Sequence, residues 1–124
     1  MPMRNIAHDN ASRALERIKA IQNRDFRSDY LSLVRGADAM IHQCGLLQTL
    51  AFYRSKQKAH HNKLTSHVLE HLGLTYDKAH LQKGYEDLLG MEDGALMHKT
   101  AEVRSYLLWL KRYAEAMLGE GGGP

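Results

Sequence analysis

The sequence has 124 residues and a mass of 14.1 kDa, which fits one domain with a core of its own. The single cysteine, Cys44, excludes an internal disulfide framework and fits a reducing cytoplasm, and no apolar run reaches the roughly 18 residues of a membrane span. Residues 1–63 hold eleven Lys and Arg against five Asp and Glu, whereas residues 64–124 hold six against nine. This division indicates an anionic partner on one face, head-to-tail association between copies, or ordinary solvated charge.

The composition favours helix, because Leu, Ala, Lys, Arg, Glu and Met are common and no proline lies between Pro2 and Pro124. We predict an all-α fold, a compact bundle of about six helices that forms a single domain over residues 1–118. The glycine-rich tail, residues 119–124, is expected to be disordered.

The first two predicted helices carry apolar residues at helical spacing. The first runs from about 10 to 23, with Asp9 or Asn10 as its N-cap. Its apolar face comprises Ala11, Ala14, Leu15, Ile18 and Ile21. The second begins after Ser28. Its apolar face comprises Leu31, Val34, Ile41 and either Ala37 or Asp38.

The third predicted helix starts at Gly45 in the segment GLLQTLAFYRSK. Leu46, Leu50 and Tyr53 are four and three residues apart, so they form its core face. Phe52 falls outside this face, between two polar positions. An apolar residue on a polar face indicates either a second packing layer or a contact with a partner.

The remaining three helices are predicted from the same spacing. The fourth, about 59–72, aligns Leu64, Val68 and Leu72 and stops at Gly73. The fifth follows Thr75. Its apolar residues are Leu81, Tyr85, Leu88 and Leu89.

The sixth helix, about 93–118, is the longest and has the clearest pattern. Its apolar stripe, spaced alternately four and three residues apart, comprises Leu96, Thr100, Val103, Leu107, Leu110, Ala114 and Met117. A second stripe contains Tyr106, Trp109 and Tyr113, with Arg112 beside it. Such aromatic residues indicate either core packing or a surface that binds a partner.

The segment from His67 to His71 matches the inverted zinc-hydrolase motif H-x-x-E-H. Two histidines four residues apart share a helical face, and Glu70 could activate a water molecule. A small zinc hydrolase is therefore one alternative, but no third, carboxylate ligand is evident. We interpret the segment as a solvated helical face, to which His60 and His61 could add an adventitious metal site.

No convincing catalytic set is present. His42 and Cys44 are two residues apart, so on a helix their side chains point away from each other. Phosphate-binding glycine motifs and the G-x-S-x-G nucleophile motif are also missing from the sequence. We expect no enzyme activity, no cofactor and no bound metal.

The candidate binding residues are cations of the N-terminal half. They comprise Arg13, Arg17, Arg24, Arg54, Lys56, Lys58 and Lys63. Arg13, Arg17 and Arg24 are four and seven residues apart, which predicts one face of a helix. Since no base-reading signature accompanies these cations, sequence-independent contact with phosphates is the expected mode.

Two segments, GLLQTLAFYRSK and the later WLKRYAE, resemble the two characteristic boxes of the small α-helical subunit family of the type III-B CRISPR effector, the Cmr complex. The resemblance covers nearly the whole chain. It implies a non-catalytic, cytoplasmic protein that stacks in a short filament beside the RNA-cutting subunits and flanks the groove for guide and target RNA. The implied partners are these RNAs, other Cmr subunits and further copies of the chain.

On this resemblance the predicted subunit-interface residues are Phe52, Trp109, Lys111 and Arg112. Two further alternatives stay open at this point. The chain could be the small subunit of the related type III-A complex, or a standalone helical nucleic-acid-binding protein.

Overall fold

Six α-helices follow one another in residues 6–74 and 80–119, the part of the chain described in this computed structural model. They are α1 (Ile6–Ile21), α2 (Arg27–Cys44), α3 (Leu46–Lys56), α4 (Ala59–His71), α5 (Leu81–Leu89) and α6 (Asp93–Met117). The predicted all-α bundle is confirmed. Most of the predicted tail and the predicted start of the fifth helix at Thr75 lie outside the described residues.

The longest helix organises the bundle. With 25 residues, α6 spans about 37 Å at 1.5 Å per residue. One end of the bundle is formed by α6 packing on α1 and α2, while α3 and α4 pack on α2 and on each other. The short α5 covers α3 and α4. No helix in the described ranges is long and apolar enough to cross a membrane.

The first helix begins four residues earlier than predicted. Asn10 is buried in the second turn of α1, so it is not the N-cap. It continues the buried face formed by Ala14, Ile18 and Ile21, and all four positions are three or four residues apart. The polar side chain of Asn10 therefore belongs to a buried stripe and does not mark a helix boundary.

The corner between α2 and α3 depends on Gly45, which has a φ of 85°. Its N–H donates to the carbonyl of Ile41 (2.8 Å), and its own carbonyl accepts from the hydroxyl of Thr49 (2.8 Å). A positive φ is accessible to glycine without the steric cost a side chain would bring. The chain can therefore start a new helix at the next residue, as predicted.

The fourth helix ends at Gly73, as predicted, in a Schellman motif. Gly73 has a φ of 76° and donates to the carbonyl of Glu70 (2.9 Å). The N–H of Leu74 reaches back to the carbonyl of Leu69 (2.9 Å), so the last carbonyls of α4 are satisfied.

The predicted apolar faces of the last two helices are only partly buried. Leu81 and Leu88 are buried, whereas Leu89 is 55% exposed, which corrects its assignment to the core. In α6 the middle of the stripe is buried, but Leu96 and Thr100 at its start are only half-buried. The first ten residues of α6 contain no fully buried side chain, although Leu96 packs partly against the core.

Candidate nucleic-acid interface

The turn between α3 and α4 presents a group of the predicted RNA-binding cations. Gln57 adopts a left-handed conformation with a φ of 53°, and the extended Lys58 then serves as the N-cap of α4. This turn separates Lys56 from Lys58, and Lys63 follows in the second turn of α4. Lys56 and Lys58 are exposed, while Lys63 is half-buried.

Arg54 and Lys56, at the end of α3, make contacts within the chain. Arg54 donates from Nη2 to Oε1 of Gln82 on α5 (3.0 Å). The Nζ of Lys56 lies 4.8 Å from the ring centroid of Phe52, a cation–π distance. Neither contact neutralises the positive charge, so both side chains still present a cation at the surface.

The three arginines predicted on one helical face occupy different settings. Arg17 forms an ion pair with Glu70 of α4, at 3.2 Å between Nη2 and Oε2. Arg13 lines a groove between α1, α4 and α6. Arg24 lies beyond the end of α1, with its guanidinium 5.5 Å from the ring centroid of Phe26. Helical spacing therefore does not align Arg24 with the other two, which corrects that inference.

The fourth helix carries one predicted RNA-binding cation and pairs with another. Lys63 lies on α4 itself, and Arg17 of α1 pairs with Glu70 of α4. The nearby His67 is buried, and its pKa is lowered to about 3, mainly by burial and in part by the positive charges of Lys63 and Arg17.

The histidine motif of α4 is part of the core. His67 is 3% exposed, and its Nδ1 accepts a hydrogen bond from the hydroxyl of Tyr30 (2.7 Å). Burial raises the pKa of the Tyr30 hydroxyl well above its ordinary value, so this group remains a donor. The interpretation of this segment as a solvated helical face is wrong.

The other two residues of the motif are also engaged. Glu70 pairs with Arg17 and accepts from the hydroxyl of Ser66 (3.0 Å). The ring of His71 stacks on Tyr106 at 3.9 Å between centroids, with the planes 1° apart. Burial lowers the pKa of His71. Within the described ranges, no three His, Cys, Asp or Glu side chains are grouped closely enough to hold a metal ion.

The predicted interface residues lie in two separate places. Phe52 is 42% exposed on α3, outside the buried face, as its spacing predicted. Trp109 is half-buried against the core and stacks with Tyr113 at 5.9 Å between centroids. Beside it on α6, Lys111 is half-buried and Arg112 is exposed. Their role as contact residues stays a prediction.

Polar contacts between distant helices were missed from the sequence. Among them are the Tyr30–His67 bond and a two-fold hydrogen bond from Arg104 to Asp38 (2.7 and 3.2 Å). Tyr30 is four residues before Val34 on the buried face of α2, a spacing that could have identified it as buried. No local signal identified the Asp38–Arg104 pair, whose members are 66 residues apart.

The architecture is that of a small all-α protein in which the two histidines of the α4 motif pack into or against the core and most of the predicted binding cations are at the surface. The chain belongs to the family of CRISPR-associated proteins Cas_Cmr5, whose family model matches residues 6–117.

Two relatives carry the description CRISPR system Cmr subunit Cmr5. The protein from Thermotoga maritima is 33% identical over 129 residues, covering 96% of this chain and 89% of that protein. The protein from Thermus thermophilus is 26% identical over 117 residues, covering 89% of this chain and 93% of that protein. The X-ray crystal structure of a CRISPR-associated Cmr5 family protein, also from Thermus thermophilus, is similar as well, with a TM-score of 0.83, 27% identity, and coverage of 94% of this chain and all of that one.

Proposed function

We propose that the chain is a non-catalytic small subunit of a type III-B CRISPR Cmr effector complex. In this role it contacts neighbouring subunits and further copies of itself, and it flanks the groove that holds guide RNA and target RNA. The observation that carries the proposal is the family match over residues 6–117. The relatives described as Cmr subunits, which align along most of both chains, support it.

A structural role is supported by how the potentially catalytic side chains are used. His67 is buried and hydrogen-bonded to Tyr30, and Glu70 is paired with Arg17. A general base must reach a substrate proton or a water molecule at the surface. These side chains instead hold α4 to α1 and α2, so the motif stabilises the bundle.

The surface cations support contact with RNA. In the described ranges, only Arg17 among the seven predicted RNA-binding residues forms an ion pair with a carboxylate. Lys58 and Lys63 add charge around the N-terminal end of α4, where backbone N–H groups also favour anions. Phosphate contacts of this kind are independent of sequence and weaken as salt is added.

Assembly is tested by co-expressing a tagged form of the chain with the other Cmr subunits and a guide RNA. We expect the tagged chain to recover the other subunits and the guide RNA together. A chain carrying a tag but expressed without the other subunits is the control for RNA captured non-specifically. Recovery of the tagged chain alone from the full co-expression would contradict the proposal.

RNA contact is tested by the salt dependence of binding to a single-stranded RNA. Each phosphate contact that is lost should reduce the log–log salt slope by about 0.7. Replacing Arg54, Lys56 and Lys58 by alanine should therefore reduce the slope by up to about 2. The smaller part is expected from Arg54, because Gln82 holds its guanidinium.

The matched control removes the same charge from cations that already have carboxylate partners, namely Arg35, Lys83 and Lys99. The salt slope of this control should remain close to that of the wild type. Equal slopes for both triple variants would show that the cations around the α3–α4 turn do not contact RNA.

A further inference from the structure

A groove lies where the first turns of α1, the end of α4 and the middle of α6 meet. Its volume is about 850 Å³, a size typical of sites that hold a small molecule. Ile6 of α1 and Leu108 of α6 both line it and are 69% and 55% exposed. The half-buried Trp109 also belongs to its lining. The groove therefore offers apolar surface and an indole ring to a ligand.

Two polar groups of the same groove lack a hydrogen-bond partner. Asn10 of α1 lines the groove and is only 7% exposed, and its carboxamide makes no hydrogen bond to any residue that the structure describes. The Nδ1 atom of His71 is shielded from water and likewise has no partner in the described ranges. Buried polar groups are usually paired, because an unpaired one costs free energy. The carboxamide of Asn10 is therefore available to a ligand, as both a donor and an acceptor.

The charged side chains of the groove balance one another. The lining includes three carboxylates and one guanidinium, those of Asp9, Glu70, Glu102 and Arg13. Arg17 pairs with Glu70 (3.2 Å), and Lys99 lies 4.0 Å from Glu102. With these two cations included, positive and negative charges are equal in number. The groove therefore does not select a strongly charged ligand group, and an uncharged planar ring suits its indole and its carboxamide.

We propose that this groove binds an adenine base. Trp109 supplies a surface on which the base stacks, a contact that aromatic side chains make with unpaired bases. Asn10 pairs with the edge of the base, where an amino donor lies beside a ring acceptor. A carboxamide complements this edge of adenine through two hydrogen bonds, whereas the same edge of guanine presents two acceptors.

The proposed site is independent of the proposed function. The cations of the α3–α4 turn precede α4, whereas the groove includes Glu70 and His71 at the other end of this helix. A free nucleotide and an unpaired base of single-stranded RNA carry the same chemistry, so the experiment includes both.

Quenching of tryptophan fluorescence tests the proposal, because Trp109 is the only tryptophan of the chain. Adenosine should quench this fluorescence in a saturable way. Purine riboside lacks the amino donor, and guanosine presents two acceptors, so each should bind at least about tenfold more weakly than adenosine. This comparison uses the wild type alone and does not depend on the folding of a variant.

Asn10→Leu should raise the dissociation constant of adenosine at least about tenfold, because leucine has a similar volume but no hydrogen-bonding group. Asn62→Leu is the matched control. Asn62 is a half-buried asparagine of α4 outside the groove, so its variant should bind adenosine like the wild type. Equilibrium dialysis with labelled adenosine measures each constant without relying on fluorescence, and circular dichroism melting checks that each variant is folded.

AMP and a short single-stranded RNA of adenosines separate the two sources of the base. Whichever binds more tightly, with a dissociation constant that Asn10→Leu raises, identifies the source, and either result supports the adenine site. The proposal is overturned if millimolar adenosine leaves the fluorescence of Trp109 unchanged. It is also overturned if purine riboside or guanosine binds as tightly as adenosine, or if Asn10→Leu and Asn62→Leu bind adenosine equally well.

Discussion

Leu50→Ala should lower the free energy of unfolding by about 2–5 kcal/mol, the usual cost of truncating a buried leucine. Leu50 is 1% exposed and belongs to the same buried face of α3 as Leu46 and Tyr53. Loss of its methyl groups removes apolar burial and leaves a cavity that the surrounding helices fill only in part. Urea denaturation of the isolated chain, followed by circular dichroism, measures the change.

Phe52→Ala is the matched control, because it truncates a large apolar side chain on the same helix. Phe52 is 42% exposed, and its contact with Lys56 is at the surface, so the expected cost is within about 1 kcal/mol. If Phe52 contacts a neighbouring subunit, this variant should instead be recovered poorly with the Cmr complex. A loss of stability equal to that of Leu50→Ala would place Phe52 in the core and contradict this division of α3.

Acid should destabilise the protein through His67. Burial lowers the pKa of this imidazole to about 3 in the folded protein, whereas in an unfolded chain its pKa is near 6.5. Above about pH 6.5 the imidazole is neutral in both states, so it does not change stability. As pH falls from 6.5 toward 3, only the unfolded chain binds the proton. The free energy of unfolding should therefore fall, by about 2 kcal/mol at pH 5 from this residue alone.

His67→Gln removes the titrating group while keeping a side chain that can accept the Tyr30 hydrogen bond. Between pH 6.5 and 4, its free energy of unfolding should fall less steeply than that of the wild type. The difference between the two slopes should correspond to at most one proton bound on unfolding. The cost of the substitution itself is measured at pH 8, where His67 is neutral in both states. His42→Gln is the control, because His42 is exposed to water on α2.

Parallel pH curves for the wild type and His67→Gln would show that His67 does not destabilise the fold in acid. Other titrating groups also change the stability of the protein in this pH range, but they do not affect the comparison between the wild type and His67→Gln. Burial also lowers the pKa values of His61 and His71, and the hydrogen bond from Arg104 lowers the pKa of Asp38. These groups are common to both proteins, so the difference between the curves reports on His67.

The buried faces of the helices could be predicted because helical periodicity is a local property of the sequence. Leu46, Leu50 and Tyr53 of α3 and the middle of the α6 stripe are buried where their spacing places them. The glycines that start α3 and end α4 were also readable, since a positive φ at Gly45 and Gly73 depends on the residue type itself.

The same local reasoning failed where a residue's setting depends on another helix. Asn10 is polar, but α6 and α4 lie near it, so it is buried within α1 and does not begin the helix. Leu89 and Leu96 follow an apolar pattern, but Leu89 is 55% exposed and Leu96 is only half-buried. Spacing shows which side chains share a face; it does not show whether a second surface covers that face.

By itself the sequence determined the all-α class, the order of the helices, most of their core faces and the resemblance to the small Cmr subunit, because each of these is carried by residues close together in the chain. Only the tertiary structure decided that His67 is a core residue hydrogen-bonded to Tyr30, 37 positions away, and that Glu70 forms an ion pair with Arg17. These outcomes depend on the burial and charge that neighbouring helices supply, and periodicity within one helix carries no information about them.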